Sequence, residues 1–391
     1  MKTEVYIRNL LFILLTLYFA QGSLYASGTL ISQSILALVI VISTIYFFKQ
    51  FFLKTKKPLF YKAWTLLLIL NVFGFIFTGS LKDPIHFSMF KGILISLLIF
   101  YPFYYFAYKE LLNSKILIQF FVIIFPVTIF QFFTNEQNLL IELNSDSVVN
   151  NFAYAFVGLI PFAFFFRNKL LAYGAIVILM FFIITGAKRG ALVAGALGLL
   201  LFMYFQLRII SKKNRWTGYA VSLFFIVALS YVTINFLESN EFLINRLESL
   251  REGNISGRDQ IYATIFNTWY NDDSVTHFLF GYGFAGSTVL SGGGLVAHND
   301  WLELLSNFGL LGVGIYLFFF YTGFSSIRNA TWNVNRKIIM LTILSIWFLT
   351  TLFSMGYTSD LGYIRAILIA FLLGGSKDIV LSKKNENFIT N

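Results

Sequence analysis

The chain has 391 residues, 58% of them hydrophobic and 19% aromatic, including 48 Phe and 21 Tyr, and only 12% are charged. So much apolar surface exceeds what a soluble core of this size can bury, which excludes a soluble globular enzyme and defines an all-α integral membrane protein. The formal charge of +11 is not a nucleic-acid footprint, because no soluble domain carries a basic stripe interleaved with exposed aromatics, and the lack of cysteine excludes disulfides, Cys-based zinc sites and thiol catalysis.

Windows of roughly 18 to 20 nearly uncharged residues, the length that crosses a bilayer core as helix, recur along the whole chain. They predict about 12 transmembrane helices, over residues 8–24, 30–48, 59–79, 89–108, 115–134, 150–166, 170–187, 190–207, 216–237, 300–323, 338–356 and 361–375. With both termini in the cytoplasm, 21 of the 29 Lys and Arg fall on the inner side, where anionic lipid headgroups attract them. Eight remain outside: Lys82, Lys91, Lys188, Arg189, Arg246, Arg251, Arg258 and Arg365. The first span follows Lys2 and Arg8 as a secretory signal would, but Leu24 and Tyr25 make a poor cleavage site, so it reads as a retained span. No internal repeat is evident, and residues 1–391 read as a single polytopic membrane domain.

Most connections are short. A polar external loop is expected over 135–149, and one long external loop, 238–297, is inserted between spans nine and ten. Within it, Leu243, Leu247 and Leu250 recur at helical spacing over 241–252. Ser256-Gly-Arg-Asp259 then matches a capping box that opens a helix to about Tyr270, with Arg258, Tyr262, Ile265 and Trp269 on one face. An arginine on an apolar stripe needs an anionic partner. The glycine-rich run 281–294 reads as turns and a mobile flap, and Gly281-Tyr-Gly lacks the strand and the Lys-Ser/Thr ending of a phosphate loop.

Polar chemistry therefore has few places to be. His298 precedes Asn299 and Asp300, both good helix caps, and projects from the extracellular mouth of the tenth span. The positive end of that helix favours neutral imidazole, the form a general base needs; the alternative is a surface histidine at a helix start. His86 and His277 have no partners at telling spacing and read as structural. Lys188 and Arg189 stand in Gly186-Ala-Lys-Arg-Gly190, a tight turn on the side kept poor in cations. Charges held there by two spans suggest function, with snorkelling to lipid phosphates as the alternative. Together with Arg258 they would form a cationic clamp for a pyrophosphate. Arg365 and Asp360 read as a structural ion pair. No Asp-x-Asp occurs and the carboxylates show no metal-ligand spacing, so no metal site or cofactor is expected.

Four pieces of the chain resemble the O-antigen ligase and polymerase family of bacterial envelope glycosyltransferases: Thr185-Gly-Ala-Lys-Arg-Gly190, Gly257-Arg258 with Trp269, Phe280-Gly-Tyr-Gly-Phe284, and the run from Ala297-His-Asn-Asp-Trp301 to Gly312. The resemblance spans about residues 180–315. Where the family more often has Ser before the arginine aligned with Arg189, this chain has Lys188. What it implies is a GT-C-like bundle of many helices with an external catalytic loop, in the bacterial inner membrane, acting on glycans carried by undecaprenyl pyrophosphate. Arg189 and Arg258 would neutralise the pyrophosphate leaving group, with Lys188 either joining that clamp or standing in for a hydroxyl, and His298, supported by Asn299 and Asp300, would take the proton of the attacking sugar hydroxyl. A glycan acceptor and membrane lipids are the implied partners, and a chain-length regulator is a further one that the resemblance admits. Compact length and a loop of about sixty residues favour a repeat-unit polymerase over a ligase that transfers glycan to lipid A core. The alternative of a different class, a lipid-linked glycan flippase, would show charges spread through several spans and a pseudo-repeat of halves.

Overall fold

The computed structural model describes residues 2–209 and 258–375, apart from 22, 26–27, 54–56, 145–147 and 360, together with scattered positions between 216 and 244. Among the described residues every regular element is a helix. In chain order these are α1 (Lys2–Phe19), α2 (Leu30–Phe51), α3 (Leu59–Thr78), α4 (Pro84–Ile93), α5 (Phe100–Tyr108), α6 (Ser114–Leu143), α7 (Ala153–Leu159), α8 (Lys169–Thr185) and α9 (Arg189–Ile209). They are followed by α10 (Arg258–Tyr270), α11 (Val275–Phe280), α12 (Gly286–Leu290), α13 (Asp300–Asn329), α14 (Val334–Phe353) and α15 (Gly362–Gly374).

Helix starts follow local chemistry. Asp83, Asn113, Asn168, Ser274, Asn299 and Asn333 each accept a backbone amide of the first turn. Among the described residues seven helical segments are long and apolar enough to cross a membrane, and large apolar side chains such as Leu38, Val41, Ile45 and Phe48 on α2 face outward. The chain is a multi-pass, all-α membrane protein. Expected span nine and the 241–252 helix lie outside or largely outside the described residues, as do Ser256 and Asp360.

Two expected spans are not regular helices. A π-helical turn, Leu94–Leu98, joins α4 to α5, and a 3-10 segment containing Pro161, Ile160–Phe165, continues α7. Irregular backbone at membrane depth persists only inside protein, and residues 95–107 and 159–165 are indeed buried. Against this centre packs α15, whose 13 residues rise only about 20 Å. Glycine makes the approach close: a Cβ at Gly362 would meet Ser96, and one at Gly374 would meet the Tyr104 carbonyl. The polar loop expected at 135–149 is mostly helix, because α6 runs on to Leu143 and ends at Asn144 in left-handed conformation.

The largest departure is in α13. Gly309 has φ 58° and ψ −149°, so the helix breaks there, and the limb 300–308 doubles back on 310–329. In a straight helix Asp300 and Tyr316 would stand about 24 Å apart; here the Tyr316 hydroxyl donates to Asp300 Oδ2 at 2.6 Å, and the rings of Trp301 and Phe320 lie 6.1 Å apart. The break releases two carbonyls from helical pairing. The Ser306 oxygen accepts the Tyr282 amide at 2.8 Å and the Asn307 oxygen that of Gly283 at 3.1 Å. Phe284 N bonds Thr78 Oγ1 and Gly286 N bonds Asn307 Oδ1, so residues 282–287 are pinned to the bundle and are not a mobile flap. The exposed part of this run is the turn at 292–295, together with Val289.

At the helix ends away from this loop, Lys49 pairs with Glu4 at 2.5 Å and Arg336 donates to the Gly375 carbonyl. The excess of cations at that end predicts that it is cytoplasmic. In this cysteine-free chain, Asn267→Cys, exposed on α10, should react with an impermeant thiol reagent in intact cells, whereas Lys109→Cys should react only after lysis; the reverse pattern would overturn the orientation.

Candidate active site

A cavity of about 380 Å³ lies where the ends of α7, α9, α10, α13, α14 and α15 meet. Its wall brings together Lys188, Arg258 and His298, from positions 110 residues apart in the chain. It also takes in Tyr154, Thr350, Ser354, Ser359 and Arg365, with Ile346 and Ile364 as apolar lining.

The cationic turn is set by two glycines. Gly186 packs against Ala153 and accepts the Asn150 amide at 2.9 Å through its carbonyl, Ala187 turns the chain at φ 52°, and Gly190 faces the Tyr154 hydroxyl and Phe353 where no Cβ would fit. Lys188 is thereby presented to the cavity. Arg189, one residue on, opens α9 half-buried and is not part of the cavity wall.

On α10 the expected stripe is observed. Ile265 and Trp269 are buried in a small core with Leu290, Ala297 and Leu305, while Arg258 and Tyr262 are half-buried at its edge. Trp269 stacks on Phe278 at 4.7 Å. Held this way, Arg258 donates from Nη1 to the Phe353 carbonyl at 3.0 Å, at the end of α14.

His298 occupies the turn that leads into α13, at φ 50°, a conformation uncommon outside glycine. Buried acidic side chains fix that turn on both sides. Glu303 accepts the Ala297 amide at 2.5 Å and the Ser287 hydroxyl at 2.8 and 2.9 Å. Asp300 accepts the Gly356 and Tyr357 amides as well as the Tyr316 hydroxyl, which fastens the turn to the connection after α14. Asn299 is the expected N-cap, accepting from Trp301 N at 2.9 Å and donating to the Leu352 carbonyl at 3.1 Å. Asp300 acts as this buried knot and not as a second cap. Partial loss of water holds the His298 imidazole below its ordinary pKa, and the nearby charges of Arg258 and Lys188 act in the same direction.

His277 and His86 lie elsewhere. His277 Nδ1 is 2.8 Å from Asp272, whose carboxylate also accepts the Tyr282 hydroxyl, and these contacts hold Asp272 down at about 2. His86 accepts the Ser80 amide at 3.1 Å. Tyr154 and the 354–359 connection were not legible as site residues: both sit in apolar or short linking sequence, and only the packing of α7 and α14 brings them to His298. Arg365 stood out as an arginine in an apolar span with Asp360 as its expected partner; Asp360 lies outside the described residues, and Arg365 lines the cavity.

Fold and site together define a polytopic membrane protein with a histidine and several cations converging on one cavity beneath a loop of short helices. Residues 174–317 match the family model described as O-antigen ligase, a segment that includes Lys188, Arg189, Arg258 and His298. Over that segment the chain is similar to the O-antigen ligase family. No curated protein matches it closely.

Proposed function

We propose that the protein is a repeat-unit polymerase for O-antigen or capsular polysaccharide, joining undecaprenyl-pyrophosphate-linked oligosaccharides at the outer face of the inner membrane. The observation that carries this reading is the meeting of Lys188, Arg258 and His298 in one cavity. An imidazole nitrogen of His298 takes the proton from the acceptor sugar hydroxyl, and that oxygen attacks the anomeric carbon of the donor as its bond to the phosphate oxygen breaks, with inversion. The released diphosphate gains charge as the bond breaks, and Lys188 and Arg258 stabilise it where a metal ion would in other transferases. Arg189, the next residue of the same turn, adds its positive charge to theirs. Thr350, Ser354 and Ser359 offer hydroxyls to a sugar.

Among the described residues no three His, Asp or Glu side chains cluster as metal ligands do, and the cavity cations supply the positive charge the reaction needs. Purified protein should therefore elongate lipid-linked glycan in excess chelator. Activity lost on chelation and restored by magnesium or manganese would overturn the cationic mechanism, and transfer to lipid A core without elongation would make the protein a ligase. Movement of lipid-linked glycan across vesicles without bond formation would make it a transporter.

A further inference from the structure

Arg365 is the charged group in the cavity that this reaction leaves without a task. It stands in the first turn of α15, a helix whose residues 362–372 are all buried, and it is itself only 8% exposed. Its Nη2 donates to the Gly356 carbonyl at 2.5 Å and its guanidinium lies 4.7 Å from the centre of the Trp347 ring. Among the described residues that is its one hydrogen bond, and Nε and Nη1 are not sealed in the interior, so they open on the cavity. Asp300 is within electrostatic reach, but its carboxylate is engaged by Tyr316, Gly356 and Tyr357, and no direct ion pair forms.

Arg258 lines the same cavity from another element. It opens α10, whose outer face is exposed, and it is fastened to the Phe353 carbonyl. The carbonyls that hold the two arginines are three residues apart on one stretch of chain, so no more than about 11 Å can separate them. A diphosphate gripped at each end by a guanidinium closes such a gap.

We propose that Arg365 binds the phosphate esterified to the lipid, while Lys188 and Arg258, beside His298, hold the phosphate that departs from the sugar. The assignment rests on the lipid-diphosphate donor proposed above, and it follows from where each cation originates. The reacting carbon must lie at His298, on whose imidazole the charges of Arg258 and Lys188 act; Arg365, fastened at the Gly356 carbonyl, is the cation left for the phosphate farther from the sugar.

Affinities of the solubilised full chain for polyprenol, polyprenyl monophosphate and polyprenyl diphosphate test this. Arg365→Gln should weaken both phosphorylated lipids about tenfold or more, the scale of one charge-assisted hydrogen bond, and leave polyprenol unchanged. Arg258→Gln should weaken the diphosphate alone. A monophosphate affinity untouched by Arg365→Gln overturns the assignment, as does an equal loss for polyprenol, which would mark a structural role. A wild-type protein that binds diphosphate no better than polyprenol defeats the donor reading itself. Should Arg365→Gln not fold, Arg365→Lys decides: one ammonium cannot hold Gly356 and a phosphate as a fork does, so monophosphate binding should fall severalfold, and unchanged binding overturns the proposal.

Discussion

His298→Ala should fold, bind the lipid-linked donor with near-normal affinity and yield almost no product. Its turn is held by Glu303, Asp300 and Asn299 through bonds to backbone and to other side chains, none of which needs the imidazole. The loss should be on the order of a hundredfold or more in turnover, typical of a positioned general base. Acid should reproduce the defect in the intact protein. The base works unprotonated and its pKa lies below the ordinary value of 6.5, so the rate should fall only as pH drops through that lowered pKa. Lys188→Met removes one of the charges that oppose protonation; the pKa should rise and the acid limb of the pH–rate profile should move to higher pH. Normal polymerisation by His298→Ala, or a limb that does not move in Lys188→Met, would remove His298 from the reaction.

Gly309→Ala should be among the most damaging single changes in the chain. The backbone there, φ 58° and ψ −149°, lies in a region open essentially to glycine alone. Space forbids it as well, since a Cβ would come within 2.5 to 2.6 Å of the Leu279 carbonyl group and the Phe278 oxygen, backbone atoms that cannot turn aside. The cost should be on the order of 3 kcal/mol or more, because strain and the lost docking of 282–287 add. Gly314→Ala, on the same helix with open space around it, should be near neutral. Thermal unfolding of the two variants in detergent gives the comparison, and a Gly309→Ala protein as stable as Gly314→Ala would show that the doubled-back limb is not the folded arrangement.

Much of this architecture was legible because hydropathy and charge act over long windows. The positions of α2, α3, α6, α8, α9, α13 and α14 follow from apolar length, and the buried stripe of α10 from spacing alone. What was not legible depends on contacts between distant segments. The helical breaks at 94–98 and 160–165 are tolerated because neighbours enclose them, which no local pattern records. The run Ser306-Asn-Phe-Gly309 reads as uninterrupted helix until the amides of Tyr282 and Gly283 are seen to take its carbonyls. Within the candidate site, His298, Lys188 and Arg258 could be singled out because each is a polar group in a place that disfavours one. Of the two adjacent cations the resemblance pointed first to Arg189, whereas Lys188 is the one that lines the cavity; which neighbour faces a cavity is set by packing that local sequence does not record.

The doubling back at Gly309 also sets how a substrate meets the protein. A straight helix of 30 residues would be about 45 Å long against a hydrocarbon core of about 30 Å, which would lift its first residues clear of the lipid. Folded at Gly309, the chain returns Asp300 to the level of Tyr316, and His298 comes down with it. If the donor is the lipid-linked diphosphate proposed above, it would encounter the site by sliding within the plane of the membrane, a two-dimensional search that confines both reactants to one thin layer and spares the diphosphate a climb into open water.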